Sequence, residues 1–382
     1  MTNLAPPPYI LGLSNGNRFI LGYRPALDGV RAVAILSVIT FHYRRDPLAL
    51  PTRGGFLGVE IFFVLSGFLI TTLLCQERAR TGRLSLRLFY ARRALRLLPA
   101  FFVMLGVYVT WALTLGPDRL VGAELKEAAG AAFYVENLLR AFVPHHAANP
   151  PGDGLVPTWT LSTEEQFYLL WPVALLLLAR MRGLRRATVV VAGSYALAAV
   201  LRAVFYDGSQ WHLFFFIRPD ALLPGCLLGL LLTGGVRWSP PRWLAWLAAG
   251  VVAFFLMAAP WNADWLFSFG FTLFALSCMV VIWALMTTPD WTLTRVLELP
   301  PLVGIGRISY GMYLWHMPAF VFVEAYSTHL RITIPAALAL TFAVSLTSYR
   351  YLEQPFLRLK RRLAVVGTPV PEAPPDAVPV SA

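Results

Sequence analysis

Two long apolar runs, Phe56–Cys75 (FLGVEIFFVLSGFLITTLLC) and Phe267–Met286 (FSFGFTLFALSCMVVIWALM), with Glu60 their one charged residue, constrain the fold more than any other feature of the chain. Each has about 20 residues, the length of helix that crosses a hydrocarbon layer roughly 30 Å thick. Lipid offers no partner to a peptide N–H or C=O, so a segment like this must satisfy its own backbone as a helix. A closed barrel would show alternating apolar and polar residues, and these runs are solid. Of the 382 residues, 57% are hydrophobic and only 14% charged, against about 25% charged in a soluble domain. The mean hydropathy is +0.62.

Apolar segments recur near 26–43, 56–75, 98–116, 167–182, 187–206, 212–233, 243–260, 265–287, 302–326 and 332–352. They predict an all-α, polytopic transmembrane helical bundle of about ten spans with both termini cytoplasmic. In that arrangement twenty of the 32 lysines and arginines lie on inner segments, seven on outer segments and five within spans, as the positive-inside rule requires. The net charge of +12 is then topogenic and implies the lipid bilayer, not nucleic acid, as partner. Residues 124–143, with Glu124, Lys126, Glu127, Glu136 and Arg140, read as interfacial or re-entrant. Counting them as a span would put Arg180, Arg182, Arg185 and Arg186 outside. Residues 1–25 are expected to be a cytoplasmic segment, 26–356 the membrane domain, and 357–382 a basic, then Pro-rich, disordered tail. MTNLAPPPYI lacks a charged n-region and a cleavage site, so the first helix is expected to act as its own signal. No appended soluble domain is expected. Cys75, Cys226 and Cys278 lack metal-ligand spacing and read as packing residues, so no metal is expected.

Ionisable groups inside apolar runs carry the functional signal. Arg31 and His42 are eleven positions apart in VRAVAILSVITFHY, about 16 Å along a helix. Charge at such depth is expensive and marks a functional site unless it snorkels to an interface. Seven arginines fall between Arg78 and Arg96, read as a loop, and Arg92, Arg93 and Arg96 suit phosphate recognition through forked guanidinium groups; binding of anionic headgroups is the plainer alternative. PTWTLSTEEQFYLLWP places Glu164 and Glu165 at the outer start of a helix beside Trp159 and Tyr168, with Ser162 or Thr163 as cap. A carboxylate beside aromatic faces can hold sugar hydroxyls. Glu60, Arg218, Asp220 and Glu353 are further intramembrane charges, and Pro219 suggests a helix break lining a cavity. His316 reads as an interfacial anchor near the outer surface.

LDGVRAVAILSVITFHY, GVEIFFVLSGFLI, RLFYARRALRLLPAFF, WTLSTEEQFYLLWP, RPDALLPGCLLG, ISYGMYLWHMP and YLEQPF occur in the order seen in the acyltransferase-3 family of bacterial membrane O-acyltransferases, which the chain resembles from about Leu27 to Phe356. The resemblance implies transfer of an acyl group, often acetyl, from cytoplasmic acyl-CoA to a hydroxyl-bearing sugar or glycolipid at the bacterial cytoplasmic membrane. It implies an essential Arg and His at Arg31 and His42, and a CoA-phosphate segment at Arg93 and Arg96. Two positions depart from the commoner family residues: Thr160 replaces Ser and Glu60 replaces Asp. Thioester attack by an alcohol needs a base near neutrality, a role open to His42 directly or as a covalent acyl carrier. Arg31 could stabilise an oxyanion or hold a phosphate. A transporter or flippase is the alternative from another class, because intramembrane charges also mark substrate pathways.

Overall fold

The computed structural model describes residues 19–43, 52–116, 121–142, 154–180, 184–206, 218–261, 263–327 and 329–363. Within them the chain is helical, and no strand occurs. In chain order the helices are α1 (Pro25–His42), α2 (Gly58–Thr81), α3 (Leu86–Thr114), α4 (Val121–Ala132), α5 (Glu136–Phe142), α6 (Thr158–Leu178), α7 (Leu184–Phe205) and α8 (Leu222–Thr233). They continue with α9 (Arg242–Ala258), α10 (Phe271–Thr287), α11 (Thr292–Leu297), α12 (Pro300–Arg307), α13 (Ser309–Tyr326), α14 (Leu330–Ser348) and α15 (Gln354–Arg362). Six helical stretches among the described residues are long and apolar enough to cross a membrane.

Local sequence explains the principal boundaries. Pro25 occupies the first turn of α1, where its missing N–H is not needed. Gly82 ends α2 with φ 72°, the left-handed conformation glycine adopts without a steric penalty. Ser85 then caps α3 by accepting from the Leu88 N–H at 3.4 Å. The arginine-rich stretch is therefore a helical hairpin, not a loop, and Arg87, Arg92, Arg93 and Arg96 are all in α3. Helix α3 begins twelve residues before the span expected at 98.

Helices α2 and α8 pack backbone to backbone. Gly225 and Gly229 recur four apart on α8, and Gly67 faces them from α2. A Cβ on Gly225 would collide with the Val64 carbonyl, and one on Gly67 with the Leu222 carbonyl. Small residues at this spacing let helix backbones meet where lipid removes the hydrophobic driving force.

Residues 124–142 lie in two short helices, α4 and α5, on either side of Tyr134 with φ 54°; neither is long enough to cross a bilayer. Two other expectations change. The stretch near 302–326 is broken at Ile308 into α12 and α13, so Arg307 and Ser309 sit at a bend. The boundary at 356 falls inside continuous helix, because a π-turn, Tyr349–Glu353, joins α14 to α15. Residues 357–362 thus extend the bundle and pack against α3. The Pro-rich part of the expected tail, beyond 363, lies outside the described residues, as do residues 1–18.

Gly225→Val should shift or separate α8 and destabilise the bundle by about 1–3 kcal/mol. Gly106→Ala, on an open helix face, should change nothing. Thermal unfolding of both variants in detergent checks the pair.

Candidate functional site

A cavity of about 290 Å³ lies among α1, α2, α3, α6, α12, α13 and α15. Its wall on α2 is the stripe Val59, Phe62, Phe63, Ser66, Leu69, Ile70 and Leu73. That stripe covers fourteen residue steps, so the cavity follows α2 for about 21 Å. Among the described residues seven cationic ones line it, Arg24, Arg31, Arg93, Arg96, Arg307, Arg358 and Lys360, against three acidic ones, Asp28, Glu164 and Glu353. The surplus of positive charge in a confined, partly apolar space favours an anion carrying an apolar part.

Arg31 is fixed at one end by a polar chain. Its Nη1 lies 3.3 Å from Asp28 Oδ1, the Tyr23 hydroxyl donates to Asp28 Oδ2 at 2.9 Å, and Arg307 Nη2 donates to the Tyr23 oxygen at 3.1 Å. Burial raises the Tyr23 phenol above its ordinary pKa, so it donates as a neutral hydroxyl. Gly306 of α12 packs on the Asp28 backbone, where a Cβ would not fit. This close approach brings Arg307 to Tyr23.

The arginines of α3 divide. Arg93 and Arg96 line the cavity. Arg92 does not: its Nη2 is 2.7 Å from Glu77 Oε2 and its Nη1 donates to the Leu363 carbonyl at 3.3 Å. Arg93 rests 3.3 Å above the centre of the Tyr168 ring, with Glu165 3.7 Å from its Nε. The neighbouring Glu164 Oε1 accepts from Ser66 at 2.5 Å and from the Tyr168 hydroxyl at 2.8 Å.

The carboxylates and the arginines, expected on opposite sides, therefore meet in one cluster. Helix α6 starts at Thr158, so the two glutamates lie in its second turn. Ser162 and Thr163 are inside the helix and donate back to the Thr158 and Trp159 carbonyls; neither is a cap.

Several other candidates lie away from the cavity. Trp159 is buried edge-on to Phe63, with ring centres 6.4 Å apart. Glu60 is buried in the first turn of α2 and does not line the cavity. Arg218 and Asp220 fall in a short 3-10 turn, Arg218–Ala221, which is the break expected at Pro219. Asp220 does not line the cavity. Asp220 instead pairs with the buried Arg202 of α7, whose Nε also donates to the Phe267 carbonyl at 3.2 Å.

His42 ends α1 half-buried, and a second histidine adjoins it. His316, expected at an interface, is 0% exposed on α13 and brings its Nε2 within 3.3 Å of His42 Nδ1. Tyr313, one turn earlier on α13, lines the cavity; its hydroxyl donates to the Pro157 carbonyl at 3.0 Å and lies 2.6 Å from Thr160 Oγ1. The histidine pair thus sits one helical turn beyond the cavity wall. The i, i+3 spacing of Tyr313 and His316 could have shown that they share a face. The broken helix that aims this face at α1 has no such signal. Arg358 and Lys360 were missed because the helix was expected to stop at 356.

The described residues thus form a helical body with six stretches long and apolar enough to cross a membrane, and a cationic, partly apolar cavity near a histidine pair. The family comparison makes this specific: the acyltransferase domain family matches residues 24–350, and the chain belongs to it. The O-acetyltransferase OatA of Staphylococcus aureus strain NCTC 8325 / PS 47 is 31% identical over 361 residues, covering 87% of this chain. OatA of strain MRSA252 matches equally. The chain spans 57% of the length of these relatives. No solved structure matches.

The Arg202–Asp220 pair should behave as a structural element. Asp220→Ala leaves a buried guanidinium without its carboxylate and should destabilise by about 3–5 kcal/mol. The double variant Arg202→Met/Asp220→Leu should recover most of that loss. Unfolding midpoints in detergent test this, and equal destabilisation of both variants would contradict it.

Proposed function

We propose that the protein is a multi-pass O-acyltransferase of the bacterial cytoplasmic membrane. It moves an acyl group, acetyl in the simplest case, from cytoplasmic acyl-CoA to a hydroxyl on a sugar or glycolipid. The observation that carries this reading is the cationic cavity that ends one helical turn from the His42–His316 pair. Membership of the acyltransferase family and the O-acetyltransferase names of the relatives support it. About ten spans with both termini inside remain the topology we propose, with Arg24, Arg96, Arg358 and Lys360 then at the cytoplasmic mouth.

In this reading the arginines at the mouth hold the donor's phosphates through charge-assisted hydrogen bonds. The apolar stripe of α2 accommodates the pantetheine arm and leads the thioester toward His42. His42 takes the proton of the acceptor hydroxyl, and Arg31 neutralises donor charge inside the cavity. Glu164 and Glu165 hold Arg93 against Tyr168, and Arg93 and Glu164 form part of the wall of the donor site. Trp159 packs behind Phe63 of the α2 wall. Arg92, engaged by Glu77, is assigned no donor contact, and Asp220 is assigned to the Arg202 pair.

Purified protein in detergent, with no second compartment, should transfer the acyl group of acyl-CoA to a suitable acceptor. A flippase has no reason to consume a thioester, so acceptor flipping in liposomes without acyl transfer would support transport instead. His42→Ala should abolish transfer while the protein stays folded; wild-type turnover would remove His42 from the mechanism.

Arg93→Ala and Arg96→Ala should each weaken acyl-CoA binding by about 1.5–3 kcal/mol. At least one should lose less with an analogue lacking the 3′-phosphate. Arg92→Ala should lower stability, because Glu77 loses its partner, and leave donor affinity unchanged. Calorimetric titration of the three variants separates these outcomes.

A further inference from the structure

The histidine pair fixes where the protons are. His316 Nδ1 lies 2.7 Å from the Tyr313 carbonyl oxygen. A carbonyl only accepts, so Nδ1 carries the hydrogen and His316 Nε2 presents a lone pair. His42 Nδ1 lies 2.9 Å from the Val38 carbonyl oxygen, which places a hydrogen there as well. That same N–H is 3.3 Å from His316 Nε2. Two acceptors therefore converge on His42 Nδ1–H, and the lone pair of His42 is left on Nε2.

We propose that His316 is a positioning residue for His42, adding to the Val38 carbonyl a second acceptor for Nδ1–H, so that this tautomer prevails and Nε2 is the working base. This rests on the acyl-transfer reading above. The acceptor O–H bond breaks as its proton passes to His42 Nε2, and the oxygen forms a C–O bond with the thioester carbon. The C–S bond breaks, the CoA thiolate leaves with the electron pair, and the proton on Nε2 passes to that sulfur. His42 ends neutral, as it began. While it carries the proton, its Nδ1–H points at the His316 lone pair and the Val38 carbonyl, so the transient positive charge is shared with fixed acceptors. The arrangement has the logic of a base oriented by a third group, with a neutral imidazole in place of a carboxylate.

The role is separable from packing. The Tyr43 hydroxyl donates to the His316 backbone carbonyl at 2.6 Å and lies 3.0 Å from Thr341 Oγ1. These contacts clamp the end of α1 to α13 and α14 without using the His316 ring. A substitution of the side chain leaves the clamp in place. Glutamine can put a carboxamide oxygen near the position of Nε2 and still accept from His42.

The experiment compares wild type, His316→Leu and His316→Gln as full-length protein in lipid nanodiscs. Ring-nitrogen NMR of 15N-histidine-labelled protein, assigned by difference from His42→Ala, reads the His42 tautomer with no substrate present. Wild type and His316→Gln should show Nδ1–H at His42, and His316→Leu should show a mixture of tautomers. In turnover, His316→Leu should lose kcat by about 100-fold, at the lower end of what acid–base catalysis contributes. Its KM for acyl-CoA and its thermal midpoint should hold, and His316→Gln should recover most of the rate. An unchanged His42 tautomer in His316→Leu would overturn the proposal, as would equal losses of rate and stability in the Leu and Gln variants. Because the NMR measurement needs no turnover, it decides the pairing even if wild type proves not to transfer acyl groups.

Discussion

The structure is organised by the free-energy penalty of placing charge in a medium that cannot solvate it. Each described ionic cluster meets that penalty in one of two ways. Arg202 with Asp220, Arg140 with Glu127 and Glu136, and Arg92 with Glu77 are buried or half-buried ion pairs packed into the protein. Arg31, Arg93 and Arg96 instead line a cavity, each with a carboxylate nearby: Asp28, Glu165 and Glu353 respectively. The first group ties elements of the bundle together, and the second lines the cavity proposed to hold the donor. Sorting charged residues by this criterion moves Asp220 and Arg92 to the structural side and keeps Arg93 on the functional side.

Close backbone contact sets the positions of those charges. The α2–α8 glycines hold the stripe of α2 that forms the cavity's long wall, and Gly306 against Asp28 brings α12 to the start of α1. The break at Ile308 then redirects α13, so that Tyr313 closes the cavity and His316 meets His42. A straight helix through this region would give the two residues no reason to share a site with α1. The π-turn at Tyr349–Glu353 has a comparable effect, lining the cavity with Tyr349 and Glu353 and carrying Arg358 and Lys360 to it. Irregular helix of this kind is common at functional sites because it re-aims side chains.

The helical, membrane-embedded character of the chain was legible in the apolar runs, because length and solid hydrophobicity leave one way to satisfy the backbone in lipid. Arg31 was legible as a functional candidate because charge in an apolar stretch needs a reason, Arg93 and Arg96 because clustered guanidinium groups suit phosphate, and Glu164 because a carboxylate stands beside aromatic residues. What the sequence did not show was partnership. Arg92 and Arg93 are neighbours on one helix yet face Glu77 and Tyr168 respectively, and nothing in their spacing assigns those faces. Asp220 could not be matched to Arg202, eighteen residues earlier on another helix. His316 resembled an interfacial anchor because a histidine among Tyr, Trp and Met has an ordinary explanation until α1 is packed against it. Helix ends were the least legible, at residues 86 and 362 above all, since charged residues that end an apolar run do not end a helix.

The account's central claim is that acyl-CoA occupies the cationic cavity with its thioester directed at His42. A cryo-EM structure in nanodiscs with a non-hydrolysable acyl-CoA analogue tests this most directly. The account predicts phosphate density among Arg96, Arg358 and Lys360, the pantetheine arm along the Phe62–Leu73 face of α2, and the acyl carbonyl beyond Tyr313 within reach of His42 Nε2. Density that leaves this cavity empty, or that places the acyl carbonyl at the arginine end, would contradict it.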